Sequence, residues 1–376
     1  MPDSPVQLIE PDDAGGAPEE GMALCLSGGG YRAMVFHVGS LWRLYEAGLL
    51  NRVKRISSVS GGSITSAMLG LKWHRLSFDP ARVTADFVDE VVAPIRSLAG
   101  RTIDAQAVIT GLVLPGRVSD NVREAYEEYL FGQATLQDLP DHPRFVFNAT
   151  NVQSGALWRF MKPYMRDYRV GEVRRPTVPL AMAVAASSAF PPVLSPLEMK
   201  LDPATFTPGS GGDLHRPPFT TNVILSDGGV YDNLGLETAW KRYKTVLVSD
   251  AGGKMQPEAE PKSDWARHAY RVLDLVDNQV RSLRKRQVID SFKKGDRQGA
   301  YWGIRTNIAD YALPDALPCP FDRTMRLAET PTRLKRLDDV HQEKLINWGY
   351  AVTDAALRRH CGVTTRGAFP YQAAGV

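Results

Sequence analysis

The stretch SSVSGGSI, residues 57–64, lies between a short apolar segment, VKRISSV, and a segment from Ser63 to Trp73 with helical spacing. Six of its eight residues are Ser or Gly, which are poor material for the interior of a strand or a helix. The composition predicts a tight strand-to-helix turn that projects the side chain of Ser60. An N-cap serine in an ordinary loop is the alternative, and it is the commoner role of an isolated Ser-Gly pair.

The segment before this turn repeats the same order of elements. The apolar run MALCL, residues 22–26, suits a buried strand, and three glycines follow it closely. Apolar side chains then recur at helical spacing from Met34 to Tyr45. Two strand-turn-helix units in succession predict an α/β fold with a central, mostly parallel sheet flanked by helices. In such sheets the functional side chains lie at the carboxyl ends of the strands.

The composition of the whole chain excludes several classes of protein. With 376 residues, 43% of them hydrophobic, the chain is long enough for a substantial core. Its 45 basic and 42 acidic side chains leave a net charge of +3, which is too balanced for a nucleic-acid partner. Cys25, Cys319 and Cys361 are scattered, which argues against a disulfide framework or a structural zinc site. No signal peptide or membrane-spanning run is visible, so we expect a cytoplasmic protein, with no metal or cofactor.

Three predicted strands end in turns that combine Gly with Ser or Asp: SGGGYR at 27–32, SVSGGS at 58–63 and DGG at 227–229. The second turn fits the nucleophile elbow G-x-S-x-G, with Ser58 in place of the first glycine. Attack by Ser60 on an ester would create an oxyanion, and an oxyanion needs preorganised N–H donors.

Four glycines of these turns can donate to an oxyanion without obstruction by a side chain: Gly28, Gly29, Gly30 and Gly61. The serine also needs a base, and Asp227 occupies an equivalent turn at a strand end. An ordinary Asp-Gly turn is the alternative for Asp227.

The glycine triplet as G-x-G-x-x-A also matches the dinucleotide-binding fingerprint. That function requires an acidic residue at the end of the next strand, where this chain has Ser57 and Ser58. No Gly-Lys-Ser/Thr sequence follows the triplet, which excludes a Walker-type phosphate loop. A nucleotide site is therefore disfavoured.

Taken together and in this order, the three turns resemble those of the patatin-like phospholipases. VAASSAFPP at 184–192 and ATNVQSG at 149–155 are also typical of that family, and SGGGYRAM is similar to its cytosolic phospholipase A branch. The resemblance covers about residues 22–235, and Ser58 departs from the usual first glycine of the elbow. It implies a modified α/β-hydrolase fold and hydrolysis of the acyl esters of phospholipids or related lipids by a dyad of Ser60 and Asp227.

Two alternatives to a hydrolase stay open. An acyltransferase would use the same acyl-enzyme, and a lipid-binding protein would keep the fold with an idle site. For the domain organisation we predict a mobile acidic tail at 1–20 and a catalytic domain at 21–312, with a helical insertion at about 80–140. A C-terminal helical extension at 313–376 is expected to pack on the same domain.

Arg32 follows the glycine triplet in the first turn of a predicted helix, where a cation opposes the helix dipole. One explanation is that its guanidinium binds the phosphate of the substrate. A structural salt bridge is the equal alternative.

None of the seven histidines lies in a glycine turn, and His215, on the predicted loop 203–220, is the one that could complete a triad. We therefore predict that Asp227 takes the proton of Ser60 directly. A carboxylate at its ordinary pKa is a weak base, so burial has to raise the pKa of Asp227.

The sequence also predicts peripheral contact with a membrane. The candidate surfaces are the apolar segment VITGLVLPG, residues 108–116, and the basic face of a helix from Arg281 to Lys294. A packed loop and a solvated helix face are the alternatives. The helix itself is predicted from Ser263 onward by a pattern that steps by three or four residues: Trp265, Ala269, Val272, Val276, Val280 and Leu283. The oligomeric state is not predicted.

Overall fold

The computed structural model describes residues 18–103, 117–253 and 255–376, and these residues contain a sheet of ten strands. The strands are β1 (Glu19–Leu26), β2 (Val53–Ser58), β3 (Arg144–Asn151), β4 (Ala156–Phe160), β5 (Tyr164–Asp167), β6 (Gly171–Arg174), β7 (Leu197–Lys200), β8 (Asn222–Asp227), β9 (Tyr243–Asp250) and β10 (Gln298–Gly303).

The strand order along the sheet is β10-β9-β1-β2-β3-β4-β5-β6, with β8 and β7 added beside β3. The five strands from β10 to β3 are parallel to one another, and β4, β5 and β6 extend the sheet as an antiparallel meander. The predicted α/β class, with a parallel central sheet, is confirmed.

Two strands pair with the same edge of β3, one after the other along its length. Its first half pairs with β2, in parallel, and Ser58 lies opposite Phe147. Its second half pairs with β8, which runs antiparallel, and Asp227 lies opposite Ala149. The strand that carries Asp227 is thus not one of the parallel set, although its end lies close to the end of β2.

The α-helices of the described residues are α1 (Gly30–Glu46), α2 (Gly61–Lys72), α3 (Ala93–Ala99), α4 (Arg117–Tyr126), α5 (Leu180–Ser187), α6 (Gly229–Asp232), α7 (Glu237–Trp240), α8 (Trp265–Lys294), α9 (Phe321–Ala328) and α10 (Asp339–His360). Thr84–Val92 and Glu127–Phe131 are π-helical. Short 3₁₀ turns occur at Leu50–Arg52, Trp73–Arg75, Pro80–Arg82, Leu136–Asp138, Pro203–Thr205 and Ile308–Tyr311.

Side chains of β1 show that the sheet is buried on both faces. Leu24 and Leu26 pack into the larger hydrophobic cluster, which includes α1 and α10. Ala23 and Cys25, which alternate with them, pack into a second cluster on the other face together with Val288 of α8. Successive residues of a strand point to opposite faces, so helices cover both sides of this sheet.

The C-terminal helix α10 packs closely against α1. A Cβ atom on Gly39 of α1 would overlap the carbonyl oxygen of Ile346, and one on Gly349 would overlap that of Phe36. The two helices approach at paired glycines because any larger side chain would force them apart. The region after residue 313 therefore packs against the first helix of the fold. The predicted domain limits themselves stay a prediction.

Several element boundaries differ from those expected. Glu19 and Glu20, at the end of the predicted tail, belong to β1, where Glu20 pairs with Lys244 at 2.9 Å. The sequence predicts the last helix from about Leu334 to His360, and the helix begins at Asp339 because the side chain of Asp338 caps it by accepting the N–H of His341. Residues 1–17 and the apolar segment 108–116 lie outside the described residues.

Candidate active site

Ser60 occupies the turn between β2 and α2, as the sequence predicts. Its backbone has φ +52° and ψ −123°, a conformation that a non-glycine residue adopts only under strain. The turn is held by the Ser60 N–H, which donates to the carbonyl oxygen of Ser187 at 3.2 Å and to its hydroxyl at 3.1 Å. The Ser60 side chain is 7% exposed and lines a cavity. The strained turn therefore presents a hydroxyl to a pocket, as a nucleophile elbow does.

The glycines beside Ser60 are required by close packing of two backbones. A Cβ atom on Gly61 would overlap the carbonyl oxygen of Gly30, and one on Gly62 would lie 2.7 Å from that of Ser27. Real Cβ contacts are never so short, so the serine turn and the glycine turn after β1 touch through their main chains. This contact brings N–H groups of the glycine turn close to Ser60.

The glycine turn offers free N–H donors. Gly29 and Gly30 have φ values of +147° and +60°, which favour glycine, and α1 begins at Gly30. Among the described residues, no protein acceptor takes the N–H of Gly29, Gly30 or Gly61. The N–H of Gly28 differs, because it donates to the carbonyl oxygen of Asn233 at 3.1 Å. Three of the four predicted donors are thus available, and Gly28 is already engaged.

Asp227 is the last residue of β8 and is 1% exposed. Its Oδ1 accepts the N–H of Gly229 at 2.7 Å, and its own N–H donates to Ala189 at 2.8 Å, so the carboxyl group is held in place. Its Oδ2 accepts no hydrogen bond of regular geometry from the described residues, although the Ser60 hydroxyl interacts with the carboxyl group. Catalytic hydrogen bonds are often loose without substrate, so a buried carboxyl group that interacts with the Ser60 hydroxyl is suited to accept its proton.

Burial raises the pKa of Asp227 to about 7. The Gly229 N–H and the Ser60 hydroxyl stabilise the carboxylate and oppose this shift, whereas the negative charge of Asp277 adds to it. The expected rise is confirmed, and a carboxyl group with a pKa near 7 can act as a general base at neutral pH.

A cavity of about 550 Å³ lies in front of Ser60 and Asp227. Much of its lining is apolar and comes from the loop after α5 and from two more distant residues: Phe190, Pro191, Pro192, Val193, Leu194, Met255 and Leu334. The polar part comes largely from α8: Tyr270, Asp274, Asp277, Asn278 and Arg281. An apolar chain and a polar group can therefore be bound side by side.

The acidic residues of α8 were not identified from the sequence as site residues. Burial raises the pKa of Asp274 and of Asp277, and each carboxylate adds to the negative potential at the cavity. Their spacing on one predicted helix, together with Arg281 one turn later, was the available signal. The sequence could not indicate that this face of α8 forms one wall of the cavity that contains Ser60.

The prediction that Arg32 binds a substrate phosphate is wrong. Its side chain is 2% exposed, and its guanidinium donates to the carbonyl oxygens of Ala251 and Thr330 and, at 2.9 Å, to the hydroxyl of Thr332. Burial lowers its pKa to about 10. Arg32 therefore ties α1 to the ends of two distant segments and has no free edge toward the cavity. Arg32 therefore has the structural role that was the alternative, although its partners are carbonyl groups and not the carboxylate of a salt bridge.

Among the described residues, which include all seven histidines, none of those that line the cavity is a histidine. His215 binds the carbonyl oxygen of Val170 through Nδ1 at 2.7 Å and packs against Phe206. His37 is fully buried between Ser249 and the carbonyl oxygen of Ser27, and burial lowers its pKa to about 4. Both have structural partners, in agreement with the expectation from the sequence.

The first residue of the basic helix face predicted to contact a membrane does not lie on the surface. Arg281 is 6% exposed, lines the cavity and donates to the carbonyl oxygen of Gly253. Arg284 is paired with Glu237 at 3.2 Å. Between residues 18 and 376, leaving out 104–116 and 254, no helix is long and apolar enough to cross a membrane.

Solved structures resemble the chain in fold at low sequence identity. Human GIVD cytosolic phospholipase A2 in complex with methyl gamma-linolenyl fluorophosphonate matches with a TM-score of 0.52 and 15% identity, over 89% of this chain and 57% of that one. A structure described as human GIVD cytosolic phospholipase A2 matches with a TM-score of 0.40 and 15% identity, over 65% of this chain and 49% of that one. VipD from Legionella pneumophila matches with a TM-score of 0.30 and 15% identity, over 83% and 67%. The chain thus spans about half the length of the human structures.

No curated protein matches the chain. A family model described as patatin-like phospholipase, however, matches residues 24–240, which is more than half of the chain and includes all three glycine turns. The strand-turn-helix at Ser60, the glycine turn beside it and Asp227 all lie within the matched region. The chain belongs to the patatin-like phospholipase family.

Proposed function

We propose that the chain is a lipid acyl hydrolase with Ser60 as nucleophile and Asp227 as general base. The observation that carries this proposal is the buried Asp227 carboxyl group, which shares the cavity with Ser60, interacts with its hydroxyl and has a pKa raised to about 7. A serine hydroxyl needs such a base to react at neutral pH, and no histidine lines the cavity to provide it.

Acylation follows from this geometry. Asp227 takes the hydroxyl proton while Oγ of Ser60 bonds to the ester carbonyl carbon, and the carbonyl oxygen becomes an oxyanion. The N–H groups of Gly29, Gly30 and Gly61 stabilise that charge, and one such donor contributes about 3 kcal/mol to a transition state. The ester C–O bond then breaks, and the leaving alcohol takes the proton from Asp227.

Deacylation reverses the roles. Asp227, again a carboxylate, takes a proton from water as the water oxygen bonds to the acyl carbon. The second tetrahedral intermediate collapses, the fatty acid leaves, and Ser60 recovers its proton. If an alcohol or a lysolipid replaces water, the same acyl-enzyme transfers its acyl group, so acyl transfer remains the second product channel of this site.

The substrate class follows from the lining of the cavity. The apolar side chains from Phe190 to Leu194, with Met255 and Leu334, suit an acyl chain. The polar residues of α8 suit the glycerol and head-group part of a phospholipid or lysophospholipid. We place this activity in the cytoplasm, at the surface of membranes.

The test combines labelling and product analysis. A fluorophosphonate is expected to label the wild-type chain at Ser60, and Ser60→Ala to abolish both labelling and hydrolysis of a soluble acyl ester. Ser188→Ala is the matched control, because Ser188 also lines the cavity but its hydroxyl donates a hydrogen bond to the carbonyl oxygen of Val184 at 2.7 Å. Labelling that persists in Ser60→Ala, or a labelled enzyme without hydrolysis or transfer, contradicts the proposal.

A further inference from the structure

The long helix α8 has a polar inner face. Tyr270, Asp274, Asp277 and Arg281 line the cavity, and Val288, further along, is fully buried against the sheet. At 3.6 residues per turn these five positions fall on one side of the helix. The side of α8 that faces the protein body is therefore largely charged in its first half.

The outer face of the same helix is apolar. Trp265, Val272, Val276 and Leu283 are 85%, 47%, 50% and 58% exposed. Their spacing of seven, four and seven residues aligns them in one stripe, on the side of the helix opposite the cavity. We call these four residues the outer stripe.

The outer stripe reverses the usual arrangement. The apolar side of a surface helix normally packs on the core, and its polar side faces water. Additional exposed apolar side chains, Leu273, Leu275 and Val280, widen the stripe on both flanks. Contiguous apolar surface of this kind marks a site of interaction. The helix was predicted from this same periodic pattern, and only the structure shows that the pattern faces outward.

The charges of α8 are segregated in the same way. Between Trp265 and Arg286 the acidic residues are Asp274 and Asp277, and both line the cavity. The polar side chains that flank the outer stripe over this length include His268, Gln279 and Arg286, which are exposed and bear no negative charge. Further along the same side, Arg286, Lys293 and Lys294 are exposed together with one carboxylate, Asp290, so the net charge of this side is positive and an anionic surface complements it.

We propose that the outer stripe is the surface through which the chain binds a lipid bilayer containing anionic phospholipid. Apolar area and cations together provide the free energy of interfacial binding, and a terminal Trp suits the boundary between head groups and acyl chains. A second copy of the chain is disfavoured as the occupant, because it would bring a face of the same positive net charge against the first. The choice of a lipid surface, rather than another anionic one, rests on the proposed function. Docking there would place the helix that walls the catalytic cavity directly on the bilayer.

The test uses the full chain with Ser60→Ala, so that binding is measured without hydrolysis. We expect it to sediment with vesicles of phosphatidylcholine and phosphatidylglycerol in equal parts, and less with phosphatidylcholine alone. Adding Val276→Glu and Leu283→Glu should reduce the partition coefficient about tenfold or more, since each change removes apolar contact and adds an unfavourable charge. Val340→Glu is the matched control, because Val340 is 56% exposed at the start of α10, and it should bind like the parent.

A second measurement locates the helix at the bilayer. Lipids brominated on their acyl chains should quench the fluorescence of Trp265, and Trp265→Phe should remove that quenching. Equal binding by the parent and the double Glu variant, or no binding at all, overturns the proposal. So does light scattering that shows, without lipid, a dimer that Val276→Glu dissociates, because the outer stripe is then a self-association surface.

Failure of the proposed function would be seen separately. Hydrolysis of a soluble acyl ester needs Ser60 and Asp227 but no vesicle, and Val276→Glu should leave its rate within about twofold. A chain that binds vesicles as described but cleaves no ester keeps the docking surface and loses the enzymatic proposal. A chain that cleaves the ester but does not bind vesicles keeps the enzymatic proposal and loses the docking surface.

Discussion

Ser60 and Asp227 come together because the two strands that carry them end toward each other along one edge of β3. Ser58, the last residue of β2, lies opposite Phe147, and Asp227, the last residue of β8, lies opposite Ala149. The turn at Ser60 and the carboxyl group of Asp227 are therefore both supported by the same few residues of β3. Such a short, rigid connection places a carboxylate beside the serine without a loop-borne histidine between them.

Ser60→Ala and Asp227→Asn should each reduce kcat/KM for an acyl ester by at least about 10⁴-fold, and the double variant should be little worse. Residues that act as one unit give losses that do not add. Steady-state kinetics on the three purified variants measure this. His215→Ala is the control and should stay within about tenfold of wild type. Additive losses, or an inactive but folded His215 variant, would replace the dyad by another arrangement.

The activity should rise with pH through about 7. Asp227 accepts a proton only as a carboxylate, and its pKa is raised to about 7. Below that pH, kcat/KM should fall about tenfold per pH unit. Asp277→Asn removes a charge that raises the pKa of Asp227, so the midpoint should move to lower pH. A pH profile with a soluble ester at constant ionic strength tests both statements, and an unmoved midpoint in Asp277→Asn contradicts the second.

Asp227→Asn should stabilise the fold at alkaline pH. The pKa of Asp227 is higher in the folded chain than in the unfolded one, so the folded state binds the extra proton and stability falls as pH rises toward 7. An asparagine carries no such penalty. The stability gained by the variant over wild type should therefore grow between pH 5 and pH 8, by about 2–3 kcal/mol. Urea unfolding at the two pH values measures this gain. A gain that shrinks as the pH rises would show that the pKa of Asp227 is not raised in the folded chain.

Arg32→Lys should lower stability without changing substrate preference. A lysine cannot reach Ala251, Thr330 and Thr332 together, so buried acceptors lose their donors at a cost of about 2–3 kcal/mol. Thermal or urea unfolding gives the loss of stability. The rates on a phospholipid and on an uncharged acyl ester should fall by the same factor, so that their ratio is unchanged. A loss confined to the phospholipid would restore the phosphate-binding role.

The sequence by itself determined the local features of the site. The elbow at Ser60, the glycines after β1 and the aspartate turn at 227 are each set by a few adjacent residues, because only small residues allow such turns. The helices α1 and α2 were also predicted close to their observed bounds, since apolar periodicity is a local signal. The raised pKa of Asp227 followed from its apolar strand.

Only the tertiary structure decided the roles that depend on partners far along the chain. Arg32 is structural because Ala251 and Thr330 are folded onto its guanidinium, and Gly28 is unavailable because Asn233 accepts its N–H. The periodicity of α8 predicted a helix but not the side that would face the protein. Periodicity reports which residues share a face, whereas packing against β9, β10 and the cavity decides where that face points. In this chain the packing turned Asp274 and Asp277 toward the cavity and left the apolar side chains of the outer stripe exposed.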